Sequence, residues 1–173
     1  DKAEEIISCL RPSFLETEAG IEVINRIEIE KKTAKGSPFI EISGLDLNGK
    51  EVYLSEYVGK GKIVYLDFWA SWCGPCRRSM PGLVEIYEKY KDKDFEIVGV
   101  SLDNNKDSWE KATKEDRITW PQFSNLEGWQ EPAAQAYGVN FVPFTILFDK
   151  EGHIVDKNLS KDKLATYLEE HLK

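Results

Sequence analysis

The segment Ile63-Val64-Tyr65-Leu66-Asp67-Phe68-Trp69 constrains this chain more than any other. Apart from Asp67 it is an unbroken apolar run that favours β structure, which is the pattern of a strand covered on both faces. Such a strand belongs in a sheet with helices packed on either side, so the chain reads as a layered α/β fold. Residues 95–102 form a second run of the same kind. Between the two runs, Leu83, Val84, Ile86, Tyr87 and Tyr90 recur at helical spacing within 80–90. Further on, 108–116 and 131–137 read as helices, and 144–148 and 154–155 as strands around the Lys150-Glu151-Gly152 turn. A final helix over 161–172 places Leu164, Tyr167, Leu168 and Leu172 on one face. Upstream, 39–43 and 51–54 flank Asn48-Gly49, and Asn-Gly between apolar runs signals a hairpin. The expected architecture is α/β, a central mixed β-sheet flanked by helices, with an N-terminal β-hairpin extension.

The first 35 residues carry a helical pattern through Ile6, Ile7, Leu10, Phe14, Leu15, Ile21, Ile24 and Ile27, and Pro12 is placed to open a second helix. Polar residues 31–38 then read as a linker. With 173 residues, the organisation expected is a helical leader over 1–37 and one domain over 38–173. Cys9 is expected to be buried within that leader. A formal net charge of −8 disfavours nucleic acid and anionic membrane surfaces, which call for clustered Lys and Arg. No stretch approaches the roughly 18 apolar residues of a spanning helix, and the N-terminus lacks a signal-peptide layout. A chain starting at Asp1 is expected to be processed or trimmed, with any targeting segment upstream.

Cys73 and Cys76 stand between the first buried strand and the helix that follows, within Trp72-Cys73-Gly74-Pro75-Cys76. That places Cys73 at a helix N-terminus, where unpaired N–H groups and the helix dipole favour a thiolate. Gly74 permits the tight turn, and Pro75 fits an early helical position that needs no N–H. Cys76 falls one turn in and should be the more covered of the two. An exposed attacking thiol with a sheltered resolving thiol suits thiol–disulfide exchange through a mixed disulfide. The competing reading is half of a zinc site. Structural zinc takes about four ligands, and the rest of the chain offers only Cys9, His153 and His171, in no paired spacing.

The segment from Asp67 to Arg77 resembles the active-site segment of thioredoxins. Pro81 resembles that family's helix-kinking proline, and Val142-Pro143 its cis-proline loop. The likeness spans 38–173 and implies a thioredoxin-like fold. The longer hairpin, the strand through Val98-Gly99-Val100-Ser101-Leu102-Asp103 and the insertion before Val142 resemble the TlpA/ResA-like branch, which is extracytoplasmic. Leu126-Glu127-Gly128-Trp129-Gln130 and the 134–139 segment resemble members common in Bacteroides-type bacteria. Those often follow a separate N-terminal domain and a lipoprotein anchor, so a periplasmic or cell-envelope location is implied.

The resemblance also assigns roles. Cys73 attacks, Cys76 resolves, and Asp67, raised in pKa by burial, accepts the proton. Trp72, Gly74, Pro75, Val142 and Pro143 form the substrate-contact surface, with the Val142 backbone offered to an extended chain by strand-like pairing. A lysine that often faces the Asp67 position in thioredoxins is replaced by Gly99, and Ser79 stands where the ResA-like branch carries an acidic residue. Trp69 is expected in the core, Arg77 and Arg78 on a solvated helix face, and Trp109, Trp120 and Trp129 in the core or on a partner-facing patch. The implied activity is reduction of protein disulfides by a monomer, with no cofactor or metal and with an upstream thiol donor. The alternatives are a thiol peroxidase, whose usual local motif is not found, and a non-catalytic binding module.

Overall fold

The computed structural model describes residues 2–172; Asp1 and Lys173, the outermost residues of the two expected segments, lie outside them. Three leader helices, α1 (Lys2–Cys9), α2 (Pro12–Leu15) and α3 (Glu18–Lys32), precede a hairpin of β1 (Ser43–Leu45) and β2 (Glu51–Tyr53). The chain then runs β3 (Ile63–Trp69), α4 (Gly74–Tyr90), β4 (Phe95–Ser101), α5 (Lys106–Glu115), β5 (Gln122–Phe123), α6 (Pro132–Tyr137), β6 (Phe144–Phe148), β7 (Ile154–Lys157) and α7 (Lys161–His171). These last five strands make one sheet in the order β5-β4-β3-β6-β7. It is mixed: β4 runs parallel to β3 and to β5, whereas β6 runs antiparallel to β3 and to β7.

Every residue of β3 and β4 is buried, as their compositions require of strands covered on both faces. On one face of β3, Phe68 packs its ring against Tyr137 of α6 and Phe144 of β6. On the other, Tyr65 and Asp67 share a cavity wall with Pro75, Ser79 and Leu83 of α4. Placing the only charged residue of β3 on the α4 side aims it at the turn that begins that helix.

The hairpin differs from expectation. Its first strand is Ser43–Leu45 rather than 39–43, because the backbone around Phe39 and Ile40 is bonded elsewhere. Phe39 N donates to Gly152 O at 2.9 Å, and Ile40 N donates to the Tyr137 hydroxyl at 2.8 Å. The Asn-Gly turn forms as expected: Gly49 takes φ +79°, and Asp46 Oδ1 accepts from Asn48 N and Lys50 N, both at 2.8 Å. β5 was not anticipated, since two residues show no periodicity.

The leader is helical, but Cys9 is exposed rather than buried. The described buried hydrophobic residues begin at Ile42, and Ile6 and Ile21 also face solvent, so the apolar stripe of the leader covers little. Its attachment is at the end of α3, where Lys157 Nζ meets Glu30 Oε2 at 2.9 Å and Thr33 Oγ1 at 3.1 Å. Among the described residues no helix is long and apolar enough to cross a membrane.

Candidate active site

The site forms where β3 ends and α4 begins. Cys73 N donates to Ala70 O at 3.1 Å, closing a turn that sets Cys73 as the N-cap of α4. Its Sγ accepts from Cys76 N at 3.2 Å, so the first cysteine satisfies an amide that the helix leaves unpaired. Gly74 and Pro75 open the helix, where the missing N–H of proline costs nothing. Cys73 and Cys76 are disulfide-bonded, with an S–S distance of 2.02 Å. Cys73 is 4% exposed and Cys76 1%. The ordering is the expected one, but the first cysteine is far more covered than the sequence suggested.

Asp67 lies on β3 between Gly99 of β4 and Thr145 of β6. A side chain at Gly99 would stand 2.9 Å from Gln122 Cγ, so β4 offers Asp67 no basic partner there. Asp67 is buried, and its Oδ2 has no hydrogen-bond partner among the described residues. Burial pushes its carboxyl up to about 7. It lines a cavity of about 570 Å³ whose wall includes Pro75 and Ser79 of α4, Pro143, and Lys161 at the start of α7. Its lining is mostly apolar, but the space is roomy enough for water, and Asp67, Ser79 and Lys161 supply polar groups along it. The Val142–Pro143 peptide is cis, and Pro143 and Pro75 form part of one wall. Among the described residues, no group of three or more His, Cys, Asp or Glu side chains is arranged to hold a metal ion.

Residues 35–157 match the AhpC/TSA family. The chain is 37% identical over 139 residues to the thiol-disulfide oxidoreductase ResA of Geobacillus kaustophilus, covering 79% of this chain and 77% of that protein. To the ResA of Bacillus thuringiensis subsp. konkukian it is 34% identical over 128 residues, covering 74% and 70%. Among solved structures it is similar to the thioredoxin domain of a thiol-disulfide oxidoreductase from Bacteroides vulgatus. There the TM-score is 0.74 at 38% identity, covering 81% of this chain and 99% of that one. The chain belongs to the AhpC/TSA family. Within it, this is a TlpA/ResA-like thiol–disulfide oxidoreductase with a thioredoxin-like fold, and therefore an enzyme.

In this ResA-like enzyme Arg77 is a brace rather than a solvated residue. It donates from Nη1 to Ser71 O at 3.3 Å, pairs through Nη2 with Glu115 at 2.9 Å, and bonds Asp116 through Nε. Arg78 faces the Asp67 cavity, and Ser79 Oγ donates to Cys76 O at 2.7 Å. Trp69 is core, as expected, and its Nε1 donates to Gln122 Oε1 at 3.0 Å; the same oxygen accepts from Trp109 Nε1 at 3.2 Å. Trp109 and Trp120 are buried, whereas Trp72 and Trp129 are 54% and 42% exposed with ring centroids 5.9 Å apart.

Sequence reasoning passed over Asp103. Buried beyond the end of β4, its carboxylate accepts from Ser71 N at 2.9 Å, from Ser71 Oγ, and from Ser101 Oγ at 2.7 Å. It therefore holds the loop that delivers Trp72 and Cys73. A charged residue directly after a buried-strand run was the available signal. Gln122 offered none.

Proposed function

We propose that this enzyme reduces disulfides in polypeptide substrates outside the cytoplasm. The observation that carries the reading is the Cys73–Cys76 pair at the start of α4, with the buried Asp67 carboxyl on the same cavity as Pro75, which stands between the two cysteines. In the dithiol form, Cys73 thiolate attacks one sulfur of a substrate disulfide, and the other substrate sulfur leaves as a thiolate. The α4 N-terminus stabilises the negative charge on Cys73 Sγ before attack. Asp67 then takes the Cys76 proton, across water in the cavity, and the new thiolate attacks Cys73 Sγ. That step forms the Cys73–Cys76 disulfide and frees the second substrate thiolate. An upstream dithiol donor returns two electrons to the pair, so the cycle needs no further cofactor.

Trp72, Gly74 and Pro75 form the floor on which the substrate lies, with Val142 and Pro143 beside it to pair with its backbone. Residues 38–173 are the catalytic unit, acting as a monomer, with 1–37 as a leader. The likeness to ResA proteins and to a protein described as a putative DsbE from Chlorobium tepidum, 31% identical with a TM-score of 0.68, supports a periplasmic or cell-envelope location, with a lipoprotein anchor in the full-length protein. Gly74-Pro75 between the cysteines favours the reducing direction, with a potential below about −200 mV. Equilibration with glutathione buffers measures that potential; a value near those of strong oxidants would make the enzyme an oxidase. Cys76→Ser is expected to accumulate mixed disulfides with polypeptides, and Cys73→Ser to form none. Consumption of a thiol donor at enzymatic rates only when peroxide is supplied would overturn the reading in favour of a peroxidase.

A further inference from the structure

The segment between β5 and α6 is built with more constraint than a surface connection requires. Leu126 and Gly128 both take left-handed backbone, at φ +60° and +57°. For a bulky residue such as Leu126 that conformation is costly and needs its surroundings to impose it. The surroundings do. Glu131, wholly buried, accepts from Asn125 N and Asn125 Nδ2, both at 2.8 Å. Leu126 N donates to Ser124 Oγ at 3.0 Å, and Gln135 Nε2 donates to Trp129 O at 2.8 Å. What this framework presents to solvent is a large indole, that of Trp129, lying at 54° to the ring of Trp72. Single exposed hydrophobic residues are ordinary. Two tryptophans in contact, one of them adjacent to the attacking cysteine, are a contiguous patch at the place a substrate must cover.

From this we infer that Trp129 is a specificity-determining residue: with Trp72 it forms an aromatic wall that receives an apolar or aromatic side chain immediately flanking the substrate cysteine. The inference rests on the reading of the enzyme as one that acts on polypeptide disulfides. Because Cys73 is nearly covered, the substrate sulfur reaches it only if the substrate backbone lies along the surface next to Trp72. Consecutive Cα atoms are about 3.8 Å apart, so the residue beside the substrate cysteine falls within reach of the two indoles. The tilted rings offer that side chain both a π face and an edge, the arrangement in which aromatic groups associate beyond simple burial. Such a wall raises the stability of the encounter and of the mixed disulfide without touching the reacting sulfurs. Neither indole lines the Asp67 cavity, so recognition of this flanking side chain is separate from proton transfer.

The test compares two synthetic peptides carrying the same intramolecular disulfide, one with Phe and one with Gly on either side of the attacked cysteine. The readout is the ratio of kcat/KM values for their reduction by the dithiol enzyme. The native protein is expected to favour the Phe peptide by about tenfold, the order of one well-packed aromatic contact. Trp129→Ala should collapse that ratio toward one, and Trp129→Phe should restore most of it, which separates loss of the ring from loss of the fold. A native ratio near one, or a ratio unchanged in Trp129→Ala, overturns the inference and leaves the polypeptide-reductase reading standing. Reduction of neither peptide by the native protein overturns that reading, and the inference with it.

Discussion

Replacing Asp67 with Asn should stabilise the disulfide form of this protein, and by an amount that depends on pH. The ordinary Asp carboxyl titrates near 3.8, and burial in β3 moves Asp67 to about 7. Below the unfolded-state value the carboxyl is protonated whether the chain is folded or not, and burial exacts nothing through ionisation. As pH rises past that value, the unfolded chain releases the proton while the folded one keeps it, so stability falls. The fall ends once pH passes about 7, where both states are ionised. Each pH unit across that window is worth about 1.4 kcal/mol, so the full span is about 4 kcal/mol and the part between pH 5 and pH 8 about 3 kcal/mol. Against a typical domain stability of 5–15 kcal/mol, roughly, that is a large fraction. The amide of the Asp67→Asn variant has no such titration, and whatever it loses by burial is the same at both pH values. Urea denaturation of the two oxidised proteins at pH 5 and pH 8 gives the comparison. The advantage of Asp67→Asn should grow by about 3 kcal/mol between them. An advantage that stays constant, or shrinks, would refute a buried carboxyl titrating near neutrality.

The same group should control the resolving step. In the proposed cycle Asp67 accepts the Cys76 proton only when ionised, so decay of a preformed mixed disulfide is expected to accelerate as pH rises through about 7. Rapid-quench measurement across pH 5.5–8.5 should show that inflection, and Asp67→Asn should be slower and flatter across it. Asp103→Ala removes the acceptor for Ser71 N, Ser71 Oγ and Ser101 Oγ. It is expected to cost about 2–4 kcal/mol in urea unfolding; a loss under about 0.5 kcal/mol, ordinary for a surface position, would show that the loop is held by something else.

The parts of this molecule legible in the sequence are those whose pattern is dictated by burial on two faces. Ile63–Trp69 has one environment available to it, and it lies at the sheet centre. The cysteine pair was equally readable, because Gly74 and Pro75 state the local geometry outright. Asp67 stood out as a charge inside an apolar run. The misplaced start of the hairpin has a different origin: 39–42 looks like a strand, yet its backbone groups are claimed by a tyrosine hydroxyl 97 positions away and by the Gly152 loop. Long-range side-chain partners of that kind leave no local trace. Gln122 illustrates the limit, since its role comes from two indole N–H groups converging on it from β3 and α5. Cys9 failed for the opposite reason. Its helix has a proper apolar stripe, but a stripe does not say what covers it.

The hydrogen bonds behind the active site run on without a break. Ser71 is tied to Asp103, Asp103 to Ser101, the Ser101 carbonyl to Ser124 Oγ at 2.8 Å, and Ser124 Oγ in turn to Leu126 N. The loop carrying Trp72 and the turn carrying Trp129 are thus two ends of one interior chain, and their rings meet again at the surface. In the language of local unfolding, they are expected to behave as a single cooperative unit whose amide protons exchange with solvent together, which hydrogen-exchange measurement would check. A substrate then meets a surface already assembled, and little conformational freedom is left for binding to extinguish.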